Sequence, residues 1–334
     1  MIVETTMGYS LNCQLAKSEP EYLINIRKGS ELTVYVVVRP WLWFRPLTSR
    51  LALGKQITKI IKDLHSFTNQ VIRKRKQEII NKINLTSDKT AIEQLQNENN
   101  NGMVKHQLAF LDILLSHQLK YPDALRDIDI RSEVDTFMFA GHHTSSLSLP
   151  FALQMIGSHP DVQRKIHQEL DAIFPNSEME LTMENLRQMK YIECVIKENL
   201  RLFGPAVLIG RENNKEFQCG KYKIPSGTTI LIFMYHVHRL EEFYPKPNEF
   251  IPERFDKNNY EYNEKYNPFA YLPFSAGPRN CIGIRYAIIQ QKSLIASILR
   301  RYKITSLQKT DDIRLAIDIT LTSKSEIGLK FELR

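Results

Sequence analysis

A cysteine in a glycine-flanked loop is the residue of this sequence whose surroundings most clearly suggest chemistry. The segment reads Phe274-Ser-Ala-Gly277-Pro-Arg279-Asn-Cys281-Ile-Gly283, and residues 284–299 after it are mostly apolar. Glycine lets a backbone come close to a flat ligand, and the unpaired N–H groups at the start of a following helix favour the thiolate form of cysteine. A lone cysteine is more often an inert core residue, but these fixed positions coincide by chance in on the order of one chain in 10^4. The spacing therefore predicts that the Cys281 thiolate binds a haem iron.

The loop matches the haem-binding signature F-x-x-G-x-R-x-C-x-G at every fixed position, and in this the chain resembles the cytochrome P-450 superfamily. The resemblance implies haem b, iron protoporphyrin IX, with Cys281 as the axial ligand of the iron. It also implies that Arg279 pairs with a haem propionate, and Arg211 stands where the family places a second arginine for the propionates. The other loop positions that the resemblance assigns to the haem are Phe274, Gly277 and Gly283.

A charged pair lies upstream of the loop. Glu198 and Arg201 are three residues apart in a predicted helix, so they share a face and can pair. Such a spacing is common and usually gives a solvated ion pair. Here it is similar to the family's E-x-x-R motif, and Arg254 lies in a Pro-Glu-Arg-Phe segment that resembles the family's meander motif. The resemblance implies that the three residues form a structural charge network behind the haem loop.

A third motif lies midway along a long predicted helix. It reads Ala140-Gly141-His142-His143-Thr144-Ser145 and resembles the oxygen-activation motif A/G-G-x-D/E-T-T/S. The resemblance implies that Gly141 opens room over the haem and that the Thr144 hydroxyl donates to bound dioxygen. His143 stands where the family has an acid that relays protons. An imidazole can carry a proton near neutral pH, so a relay by His143 and a merely packed side chain both remain open.

The residue at position 140 indicates how a haem would be attached, and two pairs of histidines raise the question of a separate metal site. In the branch of the family that the chain resembles, many members carry glutamate at the position of Ala140 and link it to the haem as an ester, so alanine there predicts a non-covalent haem. Adjacent helix residues point apart, which disfavours a metal site at His142 and His143. A metal pair at His236 and His238, on a predicted strand, is also disfavoured.

Composition limits the classes of function. The chain has 334 residues, of which 43% are apolar and 25% charged, as expected of a globular protein with a sizeable core. Four widely spaced cysteines without a C-x-x-C pair suit a reducing compartment. The net charge is +8, but the basic cluster at residues 73–76 fits a solvated helix face and no nucleic-acid motif accompanies it. We therefore expect no nucleic-acid partner.

The periodicity of apolar residues predicts helices over 54–83, 108–115, 128–158, 161–173, 182–202 and 284–301. Pro150 lies inside the third of these and predicts a kink. We also predict a strand over 228–233, a C-terminal hairpin over 317–331 that turns near Ser325, and a mobile surface loop over 97–102. The expected fold is mainly α with a small β component, namely the cytochrome P-450 fold lacking its N-terminal third.

We expect one partial domain over 1–334. Its successive parts would be middle helices (1–127), the oxygen-activation helix to the E-x-x-R helix (128–203), short strands and the meander (204–272), the cysteine loop with its following helix (273–301) and the C-terminal hairpin (302–334).

Three further segments are similar to the animal family 4 branch of the superfamily: 40–43, 132–139 and 267–277. The resemblance implies a monooxygenase that inserts one oxygen atom from O2 into a lipophilic substrate, such as a fatty acid, a hormone-like lipid or a xenobiotic. No G-x-G-x-x-G motif occurs, so NADPH would act only indirectly, through a separate NADPH-dependent flavoprotein reductase.

The family would place the full-length form on the cytosolic face of the endoplasmic reticulum membrane. No run in this chain approaches the roughly 18 apolar residues of a membrane helix, so we expect membrane attachment in the full-length form only. Two alternatives remain open. One is a non-catalytic haem-binding remnant of a truncated gene. The other is a peroxide-using isomerase or dehydratase, which needs no proton relay and would tolerate His143.

Overall fold

The computed structural model describes residues 2–9, 18–86, 108–176, 179–259 and 267–334. The chain divides into two compact units, 1–143 and 144–334, and the division falls within one long helix. The surface loop predicted over 97–102 lies outside the described residues. The expected single partial domain and its internal divisions stay a prediction.

Helices make up the described part of the first unit. In chain order they are α1 (Ile2–Met7), α2 (Glu21–Val37), a 3-10 turn (Pro40–Trp43), α3 (Arg45–Thr48), α4 (Ala52–Thr86), α5 (Phe110–Lys120) and α6 (Asp127–Ser158), the last of which continues into the second unit. The helices predicted over 54–83, 108–115 and 128–158 are confirmed as α4, α5 and α6. Helix α6 runs unbroken through Pro150, and the kink there stays a prediction.

Apolar and ionic contacts hold the helices of the first unit. The rings of Tyr22 in α2 and Phe67 in α4 lie 4.6 Å apart between centroids. Arg75 in α4 donates to both carboxylate oxygens of Asp112 in α5, at 2.6 and 2.8 Å. On α6 a stripe at four-residue spacing is fully buried: Ile130, Val134 and Met138. Burial of this stripe fixes the rotation of the helix that carries residues 140–143.

The second unit combines helices with short antiparallel strand pairs. Its helices are α7 (Pro160–Ile173), α8 (Met183–Gln188), α9 (Lys190–Phe203), α10 (Met234–Val237) and α11 (Ile284–Leu299), with 3-10 turns at Pro252–Phe255 and Thr310–Asp312. Its strands are β1 (Leu208–Glu212), β2 (Phe217–Cys219), β3 (Tyr222–Ile224), β4 (Thr229–Phe233), β5 (Tyr302–Ser306), β6 (Leu315–Asp318), β7 (Thr320–Ser323) and β8 (Leu329–Leu333). The pairs are β1 with β4, β2 with β3, β5 with β8 and β6 with β7.

The core of the second unit lies between the end of α6 and the apolar faces of α7, α9 and α11. Its fully buried members include Ile166, Leu170, Ile192, Val195, Ile196, Ile295 and Leu299. Gly157 near the end of α6 allows a close approach to β5, because a Cβ there would lie 2.9 Å from the backbone nitrogen of Ser306. The predicted fold class, mainly α with a small β component, is confirmed.

Three predictions about elements need correction. The C-terminal hairpin predicted over 317–331 with a turn near Ser325 is wrong: β6 and β7 pair around Ile319, and β8 pairs with β5. The single helix predicted over 182–202 is two helices, α8 and α9, separated at Met189. His236 and His238 do not lie on a strand, because the chain turns into α10 directly after β4.

Candidate haem site

Cys281 lies in a loop that ends where α11 begins. Its thiol is free and exposed, and its backbone N–H donates to the carbonyl oxygen of Phe274 at 3.0 Å. Helix α11 starts at Ile284, so the unpaired N–H groups of its first turn lie directly after the cysteine. Those groups and the helix dipole favour a negative charge on the sulfur.

The surroundings of the thiol fit a haem group. A thiolate is a soft ligand that suits iron in a macrocycle. Ile282, the next residue, is 85% exposed and offers apolar surface beside the sulfur, while Phe274 packs from the loop onto the core. A Cβ on Gly283 would lie 3.7 Å from the Cys281 sulfur, so a larger side chain there would cover the thiol.

The backbone conformation of the loop explains why glycine occurs at position 277. Gly277 has φ +85°, a conformation that glycine adopts without steric cost. A Cβ at Gly277 would meet no atom within 4 Å, so backbone conformation rather than crowding by protein atoms favours glycine there. Ser275 also has a positive φ, 64°, and its N–H donates to the carbonyl of Leu272 at 3.0 Å.

The two arginines predicted to bind the propionates lie on different elements. Arg211 on β1 reaches the cysteine loop, where its Nη2 donates to the Ser275 hydroxyl at 2.9 Å, while its Nη1 donates to the carbonyl of Gly210 at 2.8 Å. Arg279 is exposed on the loop itself. The structure thus brings Arg211 to the loop that carries Cys281 and Arg279.

Behind the loop, the three residues of the predicted charge network come together. Arg201 donates to both Glu198 carboxylate oxygens at 2.8 Å, and Arg254 donates to one of them at 3.3 Å. The side chains of Glu198 and Arg201 are 0% exposed and that of Arg254 is 2% exposed. Arg201 also donates to the backbone carbonyls of Pro247 and Glu249. One buried carboxylate therefore ties α9 to the Pro252–Phe255 turn and the chain before it.

A histidine connects this network to the cysteine loop. The carbonyl of His238 accepts from Arg201 at 2.8 Å, and its ring Nε2 accepts from the backbone N–H of Leu272 at 2.9 Å. Burial, followed by the nearby positive charge of Arg201, lowers the pKa of His238 to about 4. The ring is therefore neutral at pH 7, as an acceptor must be. No local sequence pattern links positions 238 and 272, so this role of His238 could not be predicted from the sequence.

The residues predicted to take part in oxygen activation all lie on α6. Ala140 is exposed, whereas Gly141, His143 and Thr144 are half-buried. The ring of His143 stacks on that of Phe139 one turn earlier, with centroids 5.1 Å apart and planes 16° from parallel. This stacking fixes the direction of the His143 ring.

The neighbouring His142 differs in environment. Burial lowers its pKa, and its Nδ1 is buried without a hydrogen-bond partner among the residues that the structure describes. Within the described ranges no cluster of three or more His, Cys, Asp or Glu side chains could hold a metal ion. Likewise, none of the helices in those ranges has the length and apolar character needed to cross a membrane.

Comparison with known proteins gives consistent matches along the chain. The Cytochrome P-450 family model matches residues 1–331. Cytochrome P-450 4V2 of Mus musculus is 37% identical over 334 residues, which are all of this chain and 61% of the relative. Cytochrome P-450 4c3 of Drosophila melanogaster is 37% identical over 331 residues, 99% of this chain and 61% of the relative. Cytochrome P-450 4c21 of Blattella germanica is 34% identical over 334 residues, 100% of this chain and 64% of the relative. The chain thus spans less than two thirds of the length of these relatives.

Proposed function

The chain belongs to the cytochrome P-450 family, and on that premise we propose that it is a haem-dependent monooxygenase of lipophilic substrates. The substrate would be a fatty acid, a hormone-like lipid or a xenobiotic, and one oxygen atom of O2 would enter it. The observation that carries this proposal is the exposed Cys281 thiol at the start of α11, in a loop held by Arg211.

Each residue of the site has a role in this proposal. Bound haem b supplies the redox chemistry that activates dioxygen. Cys281 would hold the iron as a thiolate, and Arg211 and Arg279 would neutralise the propionates. Thr144 and His143 would hold and pass protons, with the His143 ring kept in place by its stacking on Phe139.

The charge network would act as support rather than in the chemistry. Glu198, Arg201 and Arg254 form a buried ionic cluster, and His238 extends it to the backbone of Leu272, nine residues before the cysteine. Its proposed function is to hold the front of the cysteine loop in one position, so that the Cys281 sulfur would stay in place to hold the iron.

Electrons would come from an NADPH-dependent flavoprotein reductase, because the sequence has no dinucleotide-binding motif of its own.

We place the full-length protein on the cytosolic face of the endoplasmic reticulum membrane. An exposed segment between α2 and α4 supports this location: Trp41, Trp43 and Phe44 are 67%, 61% and 65% exposed. Such aromatic side chains favour the membrane interface, and anionic head groups would attract their basic neighbours. Those neighbours are Arg39, Arg45 and Arg50.

The spectrum of the reduced, CO-bound protein tests the proposal. After reconstitution with haem, the chain should show the long-wavelength Soret band that a thiolate ligand gives. Cys281→Ala should lose that band. Cys219→Ala is the matched control, since Cys219 is also free and exposed, and it should keep the band. A Cys281→Ala protein that retains the thiolate spectrum would refute the assignment, and a wild-type chain without the band would favour the haem-binding remnant.

A further inference from the structure

Ser275 adopts a backbone conformation that its residue type does not favour. Its φ is 64°, in the left-handed region where a side chain crowds the backbone. Glycine would fit this position at lower cost. A serine kept in such a conformation suggests that its side chain does something that glycine could not do.

The side chain of Ser275 makes one contact with a residue of the site. Its hydroxyl oxygen accepts from Arg211 Nη2 at 2.9 Å, and Arg211 Nη1 donates to the carbonyl of Gly210. Two of the five guanidinium N–H donors are therefore bound by protein acceptors in the described part of the chain. These two bonds fix the plane of the guanidinium and leave its other donors for a carboxylate.

Ser275 is also next in sequence to the residue that accepts the backbone hydrogen bond of Cys281. The residue before it, Phe274, accepts the Cys281 N–H at 3.0 Å, and the Ser275 N–H itself donates to Leu272. A rotation of the backbone at Ser275 would therefore move both the Arg211 contact and the Cys281 contact.

We propose that Ser275 is a positioning residue that fixes the Arg211 guanidinium relative to Cys281, so that one loop would set both the propionate contact and the position of the thiolate that would hold the iron. This inference rests on the proposed function only in taking the ligand of Arg211 to be a haem propionate. The competing explanation is that Ser275 is an ordinary turn residue whose hydroxyl has no consequence for haem binding.

Two substitutions separate these explanations, because both remove the hydroxyl but only one of them lowers the backbone cost. Ser275→Gly relieves the left-handed conformation, and Ser275→Ala keeps it. If the hydroxyl positions Arg211, both variants should lose haem to excess apomyoglobin roughly tenfold faster than the wild type, as expected for a lost hydrogen bond to a charged group. If only backbone cost mattered, glycine would slow haem loss and alanine would not.

The matched control is Ile319→Gly. Ile319 has the same φ of 64° on the β6–β7 turn, so this variant relieves the same kind of conformation without touching the cysteine loop, and the rate of haem loss should not change. In an Arg211→Ala background, the two Ser275 variants should add less than a twofold effect, because the partner of the hydroxyl is gone.

Hydrogen exchange of the haem-free chain gives a second, independent measurement. Ser275→Ala and Arg211→Ala should each speed exchange of amides in residues 272–283 several-fold, and the double variant should go no further. The amides of α11 should be unaffected. Equal haem loss and exchange in the wild type and Ser275→Ala, or additive effects with Arg211→Ala, would overturn the inference. Absence of the thiolate spectrum in the wild type would instead refute the proposed function, and the exchange measurement would still decide the role of Ser275.

Discussion

Replacing Glu198 by glutamine should destabilise the second unit more than any exchange of a surface carboxylate. Glutamine keeps the volume of the side chain but removes the charge that two guanidinium groups share, at 2.8 Å from Arg201 and 3.3 Å from Arg254. The three side chains are at most 2% exposed, so water cannot replace the lost carboxylate. Breaking a buried ion pair from one side costs about 3–5 kcal/mol. Against a usual total stability of about 5–15 kcal/mol, a loss of this size is a large fraction of the free energy of unfolding.

Urea unfolding followed by circular dichroism measures this loss as a change in the free energy of unfolding. The control is Glu184→Gln, whose partner Arg187 lies at 3.3 Å with both side chains mostly exposed, and which should cost less than about 1 kcal/mol. Adding Arg254→Met to Glu198→Gln should recover part of the loss, because it removes one of the two uncompensated charges. Equal stabilities of Glu198→Gln and Glu184→Gln would show that the buried cluster does not hold the fold as argued.

Acid should destabilise the second unit through His238, whose pKa burial lowers from 6.5 to about 4. Between these values the unfolded chain binds more protons than the native one, so stability should fall by about 3 kcal/mol as the pH drops through that window. Urea unfolding across this pH range measures the loss. Glutamine at position 238 can still accept a hydrogen bond from the Leu272 N–H, so His238→Gln should make the free energy of unfolding depend less on pH. An unchanged pH dependence in that variant would contradict this account. Acid–organic extraction should release the haem, since Ala140 has no carboxylate for an ester, and haem retained on the polypeptide would disprove that. In a protein extended to the length of its relatives, His143→Asp should raise product formed per NADPH consumed and Thr144→Ala should lower it. Coupling that does not improve in His143→Asp would mean that the imidazole relays protons as well as an acid does.

Local patterns were enough to predict the parts of the site that are local in sequence. The Cys281 loop and the helix after it follow from a ten-residue signature, and the Glu198–Arg201 contact follows from a three-residue helical spacing. The contacts that join these parts could not be predicted in this way. Arg211 meets Ser275 across 64 positions and His238 meets Leu272 across 34, and only tertiary packing decides such contacts.

The error at the C-terminus has a specific cause. The alternation of apolar residues over 317–331 correctly indicates strands, but alternation does not identify the partner of a strand. The tight turn between β6 and β7 is at Ile319, whose φ of 64° is rare for a β-branched residue. Ser325 lies in a segment whose residues are more typical of a turn, so the sequence favours a turn there. The pairing of β5 with the distant β8 has no local sequence pattern that would predict it.

The two edges of β5 are occupied at different moments in the synthesis of the protein. On one edge, the Gln163 side-chain amide both accepts from the Ile304 N–H and donates to the Ile304 carbonyl, at 2.7 Å each. That partner has left the ribosome long before β5 does. The other edge pairs with β8, so it is covered only in a chain that includes residues 329–333. A chain interrupted before residue 329 would present unpaired backbone groups, which are a template for aggregation and a signal for chaperones.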